Sequence, residues 1–159
     1  MKIAVAMSGG LDSSMSALLL KEAGHDVIGV TARLSAGIIA RQYGPPAAPD
    51  AVDSARVLAD AHGIPLHVAD LEDDFLSLIV EPFCAEYLRG ATPNPCVNCN
   101  ALIKFGRLLD RARALGCEAI ATGHYALIRQ SAEGRYYVAR GKETVKDQSY
   151  FLYRLSQES

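Results

Sequence analysis

Apolar and polar positions change period several times along the chain, which predicts strands and helices in alternation. Four short apolar runs are typical of buried strands, at residues 3–6, 27–31, 65–68 and 118–121. Four longer segments have the three-to-four residue spacing of helices, at residues 13–22, 50–63, 75–88 and 100–115. This order predicts an α/β fold in which helices cover both faces of a parallel sheet.

Details of these helices are also expected from the pattern. The first should bury Met15, Leu18 and Leu19, and the second should carry Val57 on its apolar side. Pro82 should kink or divide the third helix, because proline lacks an N–H group.

The second half of the chain contains a predicted hairpin and a predicted final helix. Residues 125–129 and 135–139 read as two strands around a turn at 131–134. Residues 147–155 read as an amphipathic helix burying Tyr150, Phe151 and Leu155. Two stretches without regular pattern, 35–49 and 89–99, are expected to be surface loops near the ends of the strands.

Composition narrows the class of protein. The chain has 159 residues, of which 50% are apolar and 21% charged, as in one globular domain. The pattern offers neither a signal-peptide core nor a membrane span, so a cytoplasmic location and no membrane partner are expected.

Charge is unevenly distributed along the chain: residues 1–88 hold 5 Lys/Arg and 12 Asp/Glu, whereas residues 89–159 hold 11 Lys/Arg and 6 Asp/Glu. Such asymmetry fits either a nucleic-acid surface in the second half or ordinary solvated helix faces.

A glycine-rich loop joins the first strand to the first helix. Gly9 and Gly10 let the backbone N–H groups come close to a ligand, and the helix start that follows favours an anion. Ser8, Ser13 and Ser14 add hydroxyl donors, while Asp12 would hold a Mg²⁺ that bridges to phosphate oxygens. The sequence SGGLDS resembles the loop of the PP-loop ATP pyrophosphatases, which split ATP between its α and β phosphates.

A second motif contains two of the four cysteines. Cys96 and Cys99 form a CxxC before the clearest helix, and Cys99 is expected at the helix start, where its thiol pKa would be lowered. Lys104 and Arg107 would add to that effect. Cys99 is then a candidate nucleophile or sulfur carrier, or Cys96 and Cys99 are two ligands of a zinc or iron–sulfur site. Cys84 and Cys117 are expected to pack in the core.

Four motifs together resemble those of the tRNA-specific 2-thiouridylases, the MnmA/TrmU family. They are residues 7–14 (MSGGLDSS), 92–100 (TPNPCVNCN) with 103–106 (IKFG), 121–125 (ATGHY) and 146–153 (KDQSYFLY). The resemblance covers nearly all of this chain but only the N-terminal, smaller part of a typical member. It implies that residues 1–159 are a PP-loop ATP pyrophosphatase catalytic domain, incomplete at its carboxyl end and without the family's later domains.

The resemblance implies a reaction on tRNA. ATP would adenylate the C2 oxygen of the wobble uridine, and sulfur carried by a cysteine would then displace AMP to give 2-thiouridine. It also implies Mg²⁺, a sulfur-donor protein (a cysteine desulfurase or a relay protein) and, with the CxxC form, either a persulfide route or a 4Fe-4S cluster. The partner of the first catalytic cysteine, Cys99, would come from a later segment.

The resemblance also assigns residues position by position. The ATP-binding residues it implies are Ala6, Met7, Ser8, Gly9, Gly10, Leu11, Asp12, Ser13, Ala32 and Gly123. Those implied for the target base or the tRNA are Asn94, Pro95, Cys96, His124, Lys146, Asp147 and Gln148. The implied catalytic residues are Cys99, Cys96 and Asp12.

Two other functions fit the same motifs. One is a different PP-loop ligase or amidotransferase that activates a small acid, against which the cysteine loop counts. The other is an ATP- or tRNA-binding module without full activity. Packing alone is an alternative for His124 and for residues 146–153.

Overall fold

Four parallel strands form the centre of the computed structural model, which describes residues 1–34 and 51–159. They are β1 (Lys2–Ala6), β2 (Asp26–Arg33), β3 (Leu66–Asp70) and β4 (Ala119–Ala121). Their spatial order is β3-β2-β1-β4, so the chain passes outward from β1 to β3 and returns to place β4 on the free side of β1. The predicted parallel α/β sheet is confirmed.

Four helical stretches connect and cover these strands. α1 (Leu11–Glu22) follows β1, and α2 (Ala51–Ala61) precedes β3. α3, residues 72–88, has the π-helical segment Leu76–Val80 between α-helical Glu72–Phe75 and Glu81–Leu88. α4, residues 95–114, has the π-helical segment Cys99–Arg107 between α-helical Pro95–Asn98 and Leu108–Ala114.

The core lies on both faces of the sheet. One face packs against α3 and α4 through a cluster of Ala4, Ile28, Val30, Leu71, Ile79, Ile103, Leu108, Ala112 and Cys117. The other face packs against α1 and α2 through Val5, Met7, Ala17, Val27, Ala55, Ala59 and Ile64. Because β1 is covered on both sides, its sequence is continuously apolar rather than alternating.

The buried sides of α1 and α2 differ from the prediction. Met15 and Leu19 are 47% and 57% exposed, and α1 instead buries Ser13, Ser14 and Ala17. Small side chains face the sheet here, so the first turn of α1 lies close to the strand ends. Val57 of α2 is also exposed, whereas Ala55 and Ala59 are buried.

The structural roles predicted for Pro82, Cys84 and Cys117 differ in outcome. Pro82 lies in the first turn of α-helical Glu81–Leu88, directly after the π-helical segment, so the helix is not divided there but changes from π-helical to α-helical hydrogen bonding. The kink at Pro82 stays a prediction. Cys117 is buried as expected, but Cys84 is exposed, so its predicted core role is wrong.

The chain beyond β4 forms a hairpin and a short turn. β5 (Ala126–Gln130) pairs antiparallel with β6 (Tyr136–Arg140), which confirms the hairpin. The helix predicted over 147–155 is wrong, because only Ser149–Leu152 is helical, as a 3-10 turn. The Asp147 carboxylate accepts hydrogen bonds from the Gly141 N–H and the Ser149 hydroxyl, which favours a turn over a longer helix.

Two expectations fall on residues that the structure does not describe: the surface loop at 35–49 and the first residue, Asp50, of the second predicted helix. In the two described ranges, the helices are too short or too polar to cross a membrane.

Candidate functional site

A cleft of about 290 Å³ opens at the carboxyl edge of the sheet, where the chain reverses its order between β1 and β4. Ligands of open parallel sheets bind at such switch points, because the loops leaving neighbouring strands separate there. The cleft is lined by the carboxyl ends of β1 and β2 and the residues that follow β1, β2 and β4, by the first turns of α1 and α2, by α4, and by Gln148.

Nine residues implied by the family resemblance line this cleft: Ala6, Met7, Ser8, Asp12, Ser13, Ala32, Gly123, His124 and Gln148. The other residues implied by the resemblance do not line the cleft: Gly9, Gly10, Leu11, Asn94, Pro95, Cys96, Cys99, Lys146 and Asp147. Lining residues that the sequence analysis did not assign include Thr31, Ile103, Lys104, Leu108 and Thr122.

The loop between β1 and α1 is held by its serines. The Ser13 and Ser14 hydroxyls both donate to the Gly10 carbonyl at 3.0 Å, and the Ser8 N–H donates to Ser13 Oγ at 3.3 Å. Two of the hydroxyls expected to face a ligand therefore stabilise the loop instead. Gly10 is the N-cap of α1 and has an extended backbone. Glycine has no side chain to accept a hydrogen bond from the first turn, so the N–H groups of that turn are available to an anion.

Two glycines allow close approach of the backbone to this loop. Gly9 has φ +76°, and a Cβ there would lie 2.5 Å from Ser54 Cβ of α2. Gly123, after β4, packs on the first turn of α1, where a Cβ would lie 2.8 Å from the Asp12 carbonyl carbon and the Ser13 nitrogen. A side chain at either position would displace the loop.

The cysteine-bearing helix begins earlier than predicted. Asn94 is its N-cap and accepts a hydrogen bond from the Cys96 N–H at 3.1 Å, and Pro95 takes the first helical position. Residues 95–99 are therefore helical rather than loop, and Cys99 lies in the second turn. Cys96 is exposed and Cys99 is half-buried.

This position changes the chemistry expected of Cys99. Burial raises the pKa of the Cys99 thiol, Lys104 opposes that rise, and nearby Cys96 adds to it. The expected lowering of the Cys99 pKa by the helix start is therefore wrong: burial outweighs the favourable charge.

Lys104 is close to both Cys99 and the cleft. It lines the cleft and follows Cys99 by five residues inside the π-helical segment. Hydrogen bonds of a π-helix join residues five apart, which brings such residues onto neighbouring positions of successive turns. Lys104 therefore both opposes the rise in the Cys99 pKa and lines the cleft.

His124 lines the cleft as a neutral ring. Its Nδ1 lies 2.8 Å from Thr122 Oγ1, and its ring centroid lies 6.2 Å from that of Phe105. Burial, together with the charge of Lys104, lowers the pKa of His124 to about 4. The ring is uncharged at pH 7, so it offers a hydrogen bond rather than a cation.

Residues 146–148 are tied to Tyr125, which precedes β5. The Gln148 N–H donates to the Tyr125 carbonyl at 2.9 Å, and the Tyr125 N–H donates to Gln148 Oε1 at 3.1 Å. The Lys146 ammonium lies 5.4 Å from the centre of the Tyr125 ring. Both oxygens of Asp147 bond within the chain, and these bonds hold the pKa of its carboxyl below its usual value.

The fold and the cleft define a class: an α/β domain with an anion-binding loop at its topological switch point. The chain belongs to the tRNA methyl transferase HUP domain family, whose model matches residues 1–159. A solved structure described as a predicted subunit of tRNA methyltransferase from Methanocaldococcus jannaschii shares the fold. Its TM-score is 0.51 with 19% identity, over 77% of this chain and 52% of that one.

Curated relatives carry a more particular name, tRNA-specific 2-thiouridylase MnmA. The chain is 45% identical to the protein of Geotalea uraniireducens over 162 residues, which is 99% of this chain and 43% of the relative. It is 50% identical to that of Syntrophotalea carbinolica (98% and 43% covered) and 51% identical to that of Moorella thermoacetica (97% and 44%). The chain thus spans less than half the length of these relatives.

The contact of Gly123 with α1 predicts a strong effect of one methyl group. Gly123→Ala should lower the free energy of unfolding by about 1–3 kcal/mol, because the added carbon overlaps the backbone of the first turn. Urea denaturation measures this. Gly10→Ala in the same loop is the control, since its added carbon would meet only Ser8 Oγ at 3.6 Å. Equal stability of the two variants would contradict the close packing.

The position of Lys104 predicts how two groups titrate. Lys104→Met removes the charge that favours the Cys99 thiolate, so alkylation of Cys99 by iodoacetamide at pH 8 should slow about 3-fold. The pKa of His124 should rise in the same variant, because the charge that opposes its protonation is gone. Peptide mapping separates Cys99 from the other cysteines, and NMR follows His124.

The control for that experiment is Arg111→Met, which removes the same charge from an exposed position of α4. It should leave both groups unchanged. Unaltered Cys99 reactivity in Lys104→Met would show that this lysine does not act on the thiol.

Proposed function

We propose that this chain supplies the ATP-using part of a tRNA-uridine 2-sulfurtransferase. The C2 oxygen of the wobble uridine attacks the α-phosphorus of ATP, and pyrophosphate leaves. The outer sulfur of a persulfide on Cys99 then attacks C2 and AMP leaves, after which the thiol of a second cysteine cleaves the S–S bond and forms a disulfide with Cys99. One observation carries the proposal: Lys104 lines the same cleft as Ser8 and Asp12 of the glycine-rich loop, and it belongs to the same π-helical segment as Cys99. A nucleotide phosphate and a sulfur carrier are thereby brought to one cation.

The cleft suits ATP in both shape and polarity. Its apolar walls fit an adenine ring, with Met7, Val30, Ala32, Leu34, Ile103 and Leu108 among the lining residues. The first turn of α1 offers N–H groups and a helix dipole to the phosphates. Activation by adenylation is required because an oxide ion is a poor leaving group, whereas AMP leaves readily.

The residues present also fit a Mg²⁺ that travels with the nucleotide. Among the described residues, no three His, Cys, Asp or Glu side chains are arranged to hold a metal ion. A lone carboxylate, Asp12, lines the cleft. Mg²⁺ in nucleotide sites commonly takes one or two carboxylates and completes its shell with phosphate oxygens and water. Bound there, it would neutralise charge on the leaving pyrophosphate.

Sulfur transfer requires partners beyond the described residues. Cys117 lies before β4, at the opposite edge of the sheet from the cleft, and Cys84 is exposed on α3. Neither of these cysteines lines the cleft, so the second cysteine and a sulfur-donor protein are proposed to come from elsewhere. A 4Fe-4S cluster would need further ligands as well, since Cys96 and Cys99 provide two thiolates of four.

The tRNA is proposed to approach the start of α4, which carries Cys96, and the hairpin of β5 and β6. Cys96 at the start of α4 is exposed, as are basic side chains that bind phosphate well: Arg129, Arg135, Arg140, Lys142 and Lys146. Such binding should weaken steeply with salt. The words "methyl transferase" in the family description suggest another chemistry, but a glycine-rich phosphate loop in the same domain as a CxxC motif favours the thiolation named in the curated relatives.

Cys99→Ser tests the proposed role of the thiol. In the complete protein this variant should form no 2-thiouridine, because serine cannot carry the transferable sulfur, while its affinity for ATP stays within about 2-fold of wild type. Mass spectrometry of digested tRNA measures the product, and calorimetry measures ATP binding. Cys84→Ser, on the exposed surface of α3, is the matched control and should thiolate normally.

Two results would count against the proposal. Thiolation that persists in Cys99→Ser would reject the role given to this cysteine. Absence of ATP binding by the wild-type protein would reject the function as a whole.

A further inference from the structure

Tyr125 contacts the phosphate loop from the side of the hairpin. Its hydroxyl donates to Asp12 Oδ1 at 2.8 Å, across 113 residues of sequence. A phenol hydroxyl donates one hydrogen bond, and a carboxylate oxygen accepts it. Tyr125 is the side chain that the structure places on the proposed Mg²⁺-binding carboxylate.

The backbone and the ring of Tyr125 make further contacts within the chain. Two hydrogen bonds join its backbone to Gln148, and Lys146 lies against its ring. A Cβ on Gly141 would lie 2.9 Å from the Tyr125 carbonyl oxygen, so the segment after β6 packs closely against the same residue. The phenol therefore reaches Asp12 from a fixed backbone rather than from a free loop.

The two oxygens of the Asp12 carboxylate therefore differ in their hydrogen bonding. Oδ1 accepts the Tyr125 hydrogen bond, whereas within the described residues no hydrogen bond is made to Oδ2. A carboxylate with one oxygen fixed has its second oxygen aimed in one direction. Without the phenol, Asp12 near the exposed end of α1 would sample other side-chain rotamers.

We propose that Tyr125 is a positioning residue that orients Asp12 for the Mg²⁺ bound to the phosphates of ATP. Its anchoring to residues 146–148 links this orientation to the segment proposed to contact tRNA. The inference rests on the proposed function, and it adds a residue that acts through Asp12 without touching the nucleotide.

The test is Tyr125→Phe in the complete protein, titrated with ATP by calorimetry in the presence of Mg²⁺ and in EDTA. Loss of one hydrogen bond to the carboxylate should weaken Mg·ATP binding about 3- to 10-fold and leave metal-free ATP binding unchanged. The Mg²⁺ concentration for half-maximal binding should rise by a similar factor. A merely structural role would weaken both forms of ATP equally.

Two further variants sharpen the result. Tyr137→Phe, which removes an exposed hydroxyl of β6, should bind like wild type. In an Asp12→Asn background, Tyr125→Phe should have little additional effect on Mg·ATP binding, because the group that it orients no longer carries the charge that holds the metal. The melting temperatures of all variants are recorded alongside.

The outcomes separate the two claims. Normal Mg·ATP binding by Tyr125→Phe, an equal loss with and without Mg²⁺, or a full additional loss in the Asp12→Asn background would each overturn this inference alone. Failure of the wild-type protein to bind ATP would overturn the proposed function and the inference with it.

Discussion

The site depends on one close contact, that of Gly123 with the first turn of α1. Parallel pairing of β4 with β1 places the exit of β4 directly beside the phosphate loop, and a Cβ at Gly123 would lie 2.8 Å from two backbone atoms of that turn. Small buried residues on α1, among them Ser13 and Ala17, permit the same closeness to the sheet. The ligand cleft exists because these backbones meet without side chains between them.

A second constraint concerns the helix that carries Cys99. Its π-helical segment brings the thiol and Lys104 to adjacent turns, while burial keeps the pKa of the thiol raised. Lys104 also lines the cleft. One cationic residue therefore belongs both to the surroundings of Cys99 and to the lining of the cleft.

Much of this arrangement could be predicted from the sequence, because strand patterns and the glycine loop are local signals. Two of the errors arose where tertiary contacts decide, and one arose from a local signal. Met15 and Leu19 have helical spacing, yet the sheet accepts the smaller face of α1. Asn94 followed by Pro95 is a local helix-start signal, and it moves Cys99 inward from the expected terminus. The bond between Tyr125 and Asp12 joins distant segments, which no local pattern indicates.

The central claim is that ATP activates the C2 oxygen of uridine by adenylation. The most direct measurement uses tRNA that carries ¹⁸O at C2 of the wobble uridine, incubated with the complete protein, ATP, Mg²⁺ and a sulfur donor. Adenylation at that oxygen predicts AMP containing one ¹⁸O atom for each 2-thiouridine formed. Thiolated tRNA accompanied by unlabelled AMP would contradict the account.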